Sequence, residues 1–346
     1  MLAIFAYTLD PRFGGLGGAG SFTRNLIAGF DAIGVVYRRI PSTRSPSSNA
    51  HRFVSEQWHT LRLKDVQALL YPNYYLPPLR NHAFPSTVVV HDTLFRDVPG
   101  SAGRLKTAWL NLAFGTLLRR AHNIVFISQF SRRKYLENFG KPANAKLWVV
   151  PNPIDEVSFA FGPRAAAAGT PRVITISAYY PHKNFETFVR LANIFHRDAR
   201  FTVIGRSPSS QQLKHLVARA PDIAGMLKHV EFTGYLDQEK LVELMRESAA
   251  LVFPSRYEGF GMPPVEAVAL GLPVVASDLP ALRETLEGRA TFITEIDDLR
   301  CWAAGLESAL SSPPSWDQRA FWSAEIIQKF NRSSVAAQYA NVLQVR

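Results

Sequence analysis

The 346-residue sequence lacks the marks of disulfide-rich secreted proteins and of membrane-spanning proteins. Its single cysteine, Cys301, excludes an internal disulfide and a cysteine-based metal site, and it fits a reducing cytosol. No apolar run approaches the roughly 20 residues that span a bilayer. The opening stretch "MLAIFAYTLDPRFGG" has no basic segment before its apolar residues. It predicts a first strand that runs into a glycine loop, not a signal peptide.

Acidic residues are scarce in the first half of the chain. Residues 1–164 contain 20 Lys and Arg but 9 Asp and Glu, whereas residues 165–346 contain 19 of each, so the first half holds the whole net charge of +11. This asymmetry favours an anionic partner: anionic lipid headgroups, a phosphorylated acceptor or nucleic acid. A basic surface that serves only solubility fits the count equally well. Nucleic-acid binding has no supporting motif, and we do not expect it.

Short apolar runs alternate with helical stretches along the whole chain. Runs such as "STVVVHD" (86–92) and "ALVFPS" (250–255) are typical of buried parallel strands. The sequence predicts an α/β protein with two doubly wound, Rossmann-like domains that face one another across a cleft. The stretch between them is rich in Pro, Gly and Ala and lacks periodicity, which is typical of a linker. The expected boundaries are 1–155 for the first domain, 156–171 for the linker and 172–327 for the second domain.

Two stretches of the first half follow predicted strands and carry groups suited to ligands. "GGLGGAG" (14–20) precedes a helix, so its backbone N–H groups can approach a phosphate, although its spacing departs from the dinucleotide fingerprint. The loop residues concerned are Gly15, Gly17 and Gly18. "VHDTLF" (90–95) places His91 at the carboxyl end of a strand, where α/β sheets carry functional groups. A histidine held by a backbone carbonyl is the alternative.

The second half offers a lysine and two glutamates at corresponding places. Lys183, in "YYPHKNFE", enters a helix just after the first strand of this half and can reach a diphosphate. In "RYEGFGMPPVEAVALGLPVVAS" (256–277), Glu258 leaves a strand and Glu266 lies in the following helix. The glycines between them leave backbone N–H groups at the helix N-terminus. Carboxylates that bind sugar hydroxyls, next to N–H donors that bind phosphate, suit a sugar nucleotide. The alternative is that Glu258 and Glu266 are ordinary acidic residues at the start of a helix.

"YEGFGMPPVEA" resembles the Glu-x7-Glu signature of the retaining glycosyltransferases of family 4, which have the B-type two-domain fold. Other stretches are similar to the family in the same order, including the glycine loop and the His–Asp strand end. The further matches are "VFISQFSRRKYL" (125–136), "VVPNPID" (149–155), "FTGYLDQEKLVELMRESAALVFPS" (232–255) and "FNRSSVAAQYANVL" (330–343). The resemblance covers nearly the whole chain. It implies that a closing helix, at about 328–346, returns to an acceptor-binding first domain.

The resemblance also implies a role for each matching residue. Lys183 would bind the diphosphate, Glu266 the ribose hydroxyls, Glu258 the donor sugar, and His91 the transferred sugar near the reacting centre. Further donor-binding residues would be Gly15, Gly17, Gly18, Arg206, Tyr235, Leu236, Gly259, Phe260, Gly261 and Met262. Many family members carry an arginine five or six residues before the lysine. Here those positions are Ser177 and Ala178, so His182 or Arg206 would have to supply the missing cation.

The expected activity is retaining transfer of a hexose from a nucleotide-diphosphate sugar to a hydroxyl of a glycan or lipid-linked acceptor, in bacterial surface polysaccharide synthesis. The chain has no Asp-x-Asp motif, which argues against a metal-bridged diphosphate. We expect no metal and no cofactor. A GDP-sugar such as GDP-mannose is our expectation for the donor, with a UDP-sugar as the other candidate. We expect a cytoplasmic protein with peripheral contact to the inner membrane through the basic stretches 104–121 and 131–134.

Two other functions remain compatible with the sequence. The first is a nucleotide-sugar epimerase or a hydrolase on the same fold, which would turn over the donor without an acceptor. The second is a non-catalytic sugar-nucleotide-binding subunit that assists a partner enzyme. The presence of Lys183, Glu258 and Glu266 argues against the second.

Overall fold

The named strands of the chain pair in parallel and form two separate six-stranded sheets. The computed structural model describes residues 1–6, 18–40, 49–73, 76–79, 83–162, 169–176 and 179–345. The chain divides into two compact units, one made of Met1–Asp155 with Lys329–Arg346 and the other of Glu156–Gln328. Helices separate consecutive strands in most of each unit, so the predicted α/β fold with two doubly wound sheets is confirmed.

The first unit holds the sheet of order β2-β1-β3-β4-β5-β6. Its strands are β1 (Leu2–Phe5), β2 (Tyr37–Ile40), β3 (Ala68–Tyr71), β4 (Ser86–Val90), β5 (Asn123–Phe126) and β6 (Lys146–Val149). Its helices before the second unit are α1 (Gly18–Ala32), α2 (Asn49–Arg62), α3 (Leu94–Asp97), α4 (Arg104–Leu112) and α5 (Gln129–Phe139). The side chains of β1, β3, β4 and β5 are all buried, so both faces of the sheet are covered there.

The helical stretch 104–121 is not one continuous α-helix. α4 ends at Leu112 and is followed by a π-turn over Ala113–Leu117 and a 3₁₀ turn over Leu118–Arg120. The hydroxyl of Thr116 donates to the carbonyl oxygen of Leu112, a local bond that competes with regular helix geometry. Neither this stretch nor any other helix in the described part of the chain is long and apolar enough to cross a membrane.

The second unit holds the sheet of order β12-β11-β10-β7-β8-β9. Its strands are β7 (Arg172–Ile176), β8 (Arg200–Ile204), β9 (Val230–Phe232), β10 (Ala250–Phe253), β11 (Val274–Ser277) and β12 (Thr291–Ile293). Its helices are α6 (Phe185–Ile194), α7 (Ser210–Arg219), α8 (Gln238–Glu247), α9 (Met262–Ala269), α10 (Pro280–Leu286), α11 (Leu299–Ser311) and α12 (Trp316–Phe330). Because the pairs are parallel, the carboxyl ends of β10, β7, β8 and β9 lie side by side at one edge.

The last helix, α13 (Arg332–Leu343), packs within the first unit. Its start is fixed by a hydrogen bond from the Ile154 N–H to the Phe330 carbonyl, 2.8 Å long, and by an ion pair of 3.0 Å between Arg332 and Asp155. Gly29 of α1 permits a close approach, since a Cβ there would lie 2.3 Å from the Arg332 carbonyl oxygen. α1 and α13 therefore form one tightly packed pair.

The segment predicted as a linker begins inside the second unit. Phe159 is fully buried, and the ring of Phe161 packs against Trp316 with centroids 4.5 Å apart. Gly271, with φ of +73°, leaves room for that ring, because a Cβ at this position would lie 2.4 Å from it. Phe159 and Phe161 thus anchor this stretch, while residues 163–168 of the predicted linker lie outside the described residues.

Candidate functional site

The loop that leaves β10 ends in a glycine that the structure requires. Gly261 is the N-cap of α9 with φ of +85°, and a Cβ there would lie 2.2 Å from Cδ2 of Leu282. Pro263 and Pro264, which follow Met262 at the start of α9, carry no backbone N–H. The backbone N–H donors at the start of this helix are therefore those of Met262 and of the loop residues before it. The sequence thus concentrates N–H groups at 259–262, which is where the resemblance implies donor contacts.

Side-chain contacts fix this loop against the neighbouring helix. The Phe260 ring is buried, and its carbonyl oxygen accepts a 3.0 Å hydrogen bond from the buried hydroxyl of Thr285. Gly259 is also buried. A ligand can therefore meet these two positions only through their backbone, and the ring of Phe260 belongs to the core.

The structure brings Lys183 and Glu258 into direct contact. Lys183 ends a 3₁₀ turn, Pro181–Lys183, that follows β7, and its Nζ lies 2.6 Å from Oε1 of Glu258. The side chains are 24% and 11% exposed, so the pair is partly withdrawn from water and still open on one side. A second bond joins the same segments: the Arg256 N–H donates to the His182 carbonyl oxygen at 2.6 Å. Arg256 in turn pairs with Asp297 at 2.5 Å.

His182 is neutral at physiological pH. Burial lowers its pKa to about 4; the positive charge of Lys183 acts in the same direction, and Glu258 opposes both. Its ring stacks on Tyr180, with centroids 5.7 Å apart. His182 therefore adds no positive charge for a diphosphate at pH 7, which leaves Arg206 as the candidate for the missing cation. Ser177 and Ala178, where family members carry the arginine, lie outside the described residues.

Arg206 and Tyr235 lie together at the ends of β8 and β9. The Arg206 guanidinium lies over the Tyr235 ring, 4.6 Å from its centroid, and both side chains are exposed. The chain segments meet in a bridge between Gly205 and Gly234, and the hydroxyl of Tyr179 donates to the Arg206 carbonyl. An exposed ring with a cation on its face offers a flat surface on which a base can stack.

The predicted groups of the second unit thus follow the order of the strands. Glu258 follows β10, Lys183 follows β7, Arg206 follows β8 and Tyr235 follows β9, all at the carboxyl edge of the sheet. Leu236, next in the chain, is half-buried. Glu266 is half-buried and lies four residues after the start of α9, on the same strand–loop–helix segment as Glu258. This edge is where open α/β sheets bind ligands.

His91 belongs to the first unit, just after β4. Its Nε2 lies 2.8 Å from the Pro72 carbonyl oxygen, and burial lowers its pKa. The neutral ring therefore donates from Nε2 and keeps Nδ1 as an acceptor. Its ring also meets the edge of Phe22, with centroids 4.9 Å apart, and its own carbonyl accepts from the Ser131 hydroxyl at 2.8 Å. The structure thus holds the ring rigidly in place.

The glycine loop is described only at its end. Gly18 is exposed and begins α1, with open space where a Cβ would stand. Gly15 and Gly17 lie outside the described residues. Among the described residues, the structure shows no group of three or more His, Cys, Asp or Glu side chains that could hold a metal ion.

Sequence reasoning missed the contacts that fix the site from behind. The bond from Arg256 to His182, the hydroxyl of Tyr179 on Arg206 and the hydroxyl of Thr285 on Phe260 all join distant segments. Tyr179 and Arg256 stand beside predicted site residues, but Thr285 carries no local signal. These contacts depend on the order of the strands in the sheet and on the packing of helices against loops. Neither can be read from the residue type at a single position.

Comparisons with known proteins bear on the class to which this chain is similar. Residues 160–326, most of the second unit, match the family model "Glycosyl transferases group 1". The chain is 22% identical over 329 residues to the O-antigen chain mannosyltransferase RfbU of Salmonella typhimurium, covering 91% of this chain and 85% of the relative. It is 25% identical to O-antigen chain mannosyltransferase B of Escherichia coli, covering 77% of this chain and 71% of that protein.

Solved structures show the same fold over nearly the whole chain. Sucrose-phosphate synthase from Thermosynechococcus elongatus has a TM-score of 0.77 at 18% identity, covering 99% of this chain and 98% of that one. Anabaena HepE, solved in complex with UDP-glucose, has a TM-score of 0.71 at 16% identity and covers 99% of both chains. The fold is therefore the GT-B fold, and together with the group 1 match these findings support a GT-B glycosyltransferase.

Proposed function

We propose that the protein is a retaining, metal-independent glycosyltransferase that moves a hexose from a nucleotide-diphosphate sugar to a hydroxyl of a glycan or lipid-linked acceptor. The observation that carries the proposal is the partly buried pair of Lys183 and Glu258 at the carboxyl edge of the second sheet, directly before the N-terminus of α9. It joins a cation for phosphate, a carboxylate for hydroxyls and a set of backbone N–H groups. The two O-antigen mannosyltransferases among the relatives favour mannose and a place in surface polysaccharide synthesis.

In this proposal the second unit binds the donor. The diphosphate lies against Lys183 and the N–H groups of 259–262, where the helix N-terminus adds a favourable dipole. Glu266 accepts hydrogen bonds from the ribose hydroxyls, and Glu258 accepts them from the sugar. Arg206 and Tyr235 receive the base, and Arg206 is the exposed cation that compensates for the neutral His182. HepE was solved with UDP-glucose, which keeps a UDP-sugar as a candidate beside a GDP-sugar.

We propose the following transfer step. The bond between the anomeric carbon and the phosphate oxygen breaks while the acceptor oxygen bonds to that carbon from the same face. The acceptor's proton passes to the departing phosphate oxygen. Negative charge grows on that phosphate, so Lys183 and the helix N-terminus stabilise the transition state more than the ground state. His91 is proposed to contact the transferred sugar through Nδ1, the nitrogen that is free to accept.

The first unit is proposed to meet the acceptor and, with it, an anionic membrane at the cytoplasmic face. α4 presents three apolar side chains at helical spacing to solvent, of which Leu105 is 90% exposed. The other two are Trp109 and Leu112, and Arg104 and Lys106 stand beside them. An exposed apolar stripe flanked by cations, on the half of the chain that carries the net charge, suits an anionic lipid surface.

The transfer reaction is tested with purified protein, a GDP- or UDP-hexose and a hydroxyl acceptor such as a lipid-linked monosaccharide. The proposal predicts a glycoside whose anomeric configuration, measured by NMR, equals that of the donor. An inverted product would overturn the retaining mechanism. Donor consumption without an acceptor would identify a hydrolase or epimerase instead.

A further inference from the structure

A cavity of about 150 Å³ opens at the surface of the second unit, apart from the residues of the proposed donor site. It is bounded by the end of α9, the turn into β11, the start of β12 and residues of α11 and α12. A space of this size exceeds many times the ~10–15 Å³ that one water molecule needs on this measure. It is therefore large enough for a small ligand.

The cavity lies at the opposite edge of the sheet from Glu258. Glu258 follows the carboxyl end of β10, whereas the cavity is lined by Leu272 and Pro273, just before the amino end of β11. β10 and β11 are parallel neighbours, so these ends lie at opposite edges. α9 runs between them, with Met262 at the first edge and Val268 in the cavity wall. The cavity is thus separate from the proposed donor site.

Two arginines line the cavity, Arg289 and Arg319, and of the two only Arg289 forms ion pairs in the described part of the chain. Arg289 is held by carboxylates, with Nη2 2.7 Å from Glu325 and Nη1 3.0 Å from Glu287. Arg319 has an Nη1 bond of 3.2 Å to the Gly271 carbonyl, while its buried Nε has no hydrogen-bond partner. The structure shows no ion pair for Arg319 within the described residues.

The charge of Arg319 is compensated only in part, by the face of the Trp316 ring 5.8 Å away and by one carbonyl oxygen. Burial lowers its pKa, and no carboxylate contributes to the shift. The Gly271 carbonyl, near the C-terminal end of α9, compensates part of the charge. No acidic residue lines the cavity in the described part of the chain.

The other walls suit a phosphorylated small molecule. Three residues with hydroxyl groups, Thr291, Ser308 and Ser312, line the same cavity as Arg319, and Trp322 adds an aromatic residue to its wall. Guanidinium and hydroxyl donors together bind phosphate oxygens, and an indole face packs well on a sugar ring. We infer that this cavity is a second ligand site, which takes a small molecule carrying a phosphate group and holds that group at Arg319.

The test is isothermal titration of the full-length protein with inorganic phosphate and, separately, with a hexose 6-phosphate. Arg319→Gln is expected to weaken binding by about tenfold or more, the effect of losing a charged hydrogen bond. Arg300→Gln is the matched control, since Arg300 is exposed on the same unit and pairs with Asp298. If the hexose 6-phosphate binds more tightly than inorganic phosphate, the ligand of the cavity is a sugar phosphate. If the two bind equally, the ligand is free phosphate.

Two further variants distinguish binding in this cavity from binding at the donor site. Lys183→Ala should leave phosphate binding intact, because the diphosphate position is at the other edge. Ser308→Glu places a carboxylate in the cavity wall, so it should abolish binding without unfolding the protein, which thermal denaturation checks. The inference is overturned if wild-type protein binds neither ligand, if Arg319→Gln and Ser308→Glu both bind normally, or if binding disappears in Lys183→Ala alone.

Discussion

Nζ of Lys183 lies 2.6 Å from Oε1 of Glu258, although 75 residues separate the two in the chain. The contact holds a cation and a carboxylate at the point where β7 and β10 end side by side. The two opposite charges compensate each other in a partly buried setting. A donor would meet both groups already oriented, and its phosphate would replace Glu258 as the partner of Lys183.

Removal of the lysine should impair the chemical step more than donor binding. Lys183→Ala is expected to lower kcat by about 100- to 1,000-fold, as for the loss of one preorganised group that stabilises developing charge. The effect on KM should be smaller, since the N–H groups of 259–262 still bind the diphosphate. Steady-state kinetics with a saturating acceptor measure the two constants. A variant with raised KM and unchanged kcat would show that Lys183 binds ground state and transition state alike.

The low pKa of His182 predicts how stability depends on pH. Its folded-state pKa of about 4 lies below the ordinary value of 6.5, so the unfolded chain binds the proton more readily between these values. Its contribution to stability is present above pH 6.5 and is lost as the pH falls towards 4. His182→Gln should therefore show a smaller drop in Tm from pH 7 to pH 4.5 than the wild type. Equal drops in both proteins would mean that the His182 pKa is normal.

Gly261 should tolerate no side chain, for two separable reasons. Its φ of +85° strains any L-residue by about 1–3 kcal/mol, and a Cβ would also overlap Leu282. Gly288 provides the matched control, since it has φ of +87° and nothing within 4 Å of a Cβ. Urea denaturation should show Gly261→Ala to be less stable than Gly288→Ala, the difference reporting the overlap. Equal losses would show that Leu282 moves aside freely.

Membrane contact should depend on the exposed face of α4. Arg104→Gln and Lys106→Gln should each weaken binding to anionic vesicles by about fivefold, and Leu105→Ser should weaken it further. Phe321→Ser is the matched control, an exposed apolar residue on the second unit. Vesicle sedimentation at fixed salt measures the binding. If the α4 variants and the control bind alike, the first unit meets the membrane elsewhere or not at all.

Arg119 and Arg120, also in the basic stretch 104–121, are unsuitable for that experiment. Arg119 donates to the carbonyl oxygens of Phe139, Gly140 and Lys141, and Arg120 donates to that of Pro78. Their guanidinium groups therefore satisfy backbone acceptors of neighbouring segments. Replacing them would remove these hydrogen bonds together with the charge, whereas Arg104 and Lys106 are exposed.

The fold, and the placement of most candidate site residues at strand ends, could be predicted from the sequence. Buried parallel strands are continuous apolar runs, so the groups that follow them, such as Lys183 and Glu258, could be assigned to one edge of a sheet. Their contact could not be predicted, because it depends on β7 and β10 being neighbours. The neutral state of His182 depends on its burial in the fold, which the periodicity of the sequence does not report. The periodicity also does not report that the regular α-helix ends at Leu112.

The most direct test is donor binding, measured by thermal shift against the sugars of uridine, guanosine, thymidine and adenosine diphosphates. A donor at 100 times its Kd should add about 2.7 kcal/mol of stability. We expect a shift with one base, abolished by Glu266→Ala and weakened by Lys183→Ala, while Arg300→Gln behaves as the wild type. No shift with any of these donors, or a shift that survives Glu266→Ala unchanged, would contradict a nucleotide-sugar site at the carboxyl edge of the second sheet.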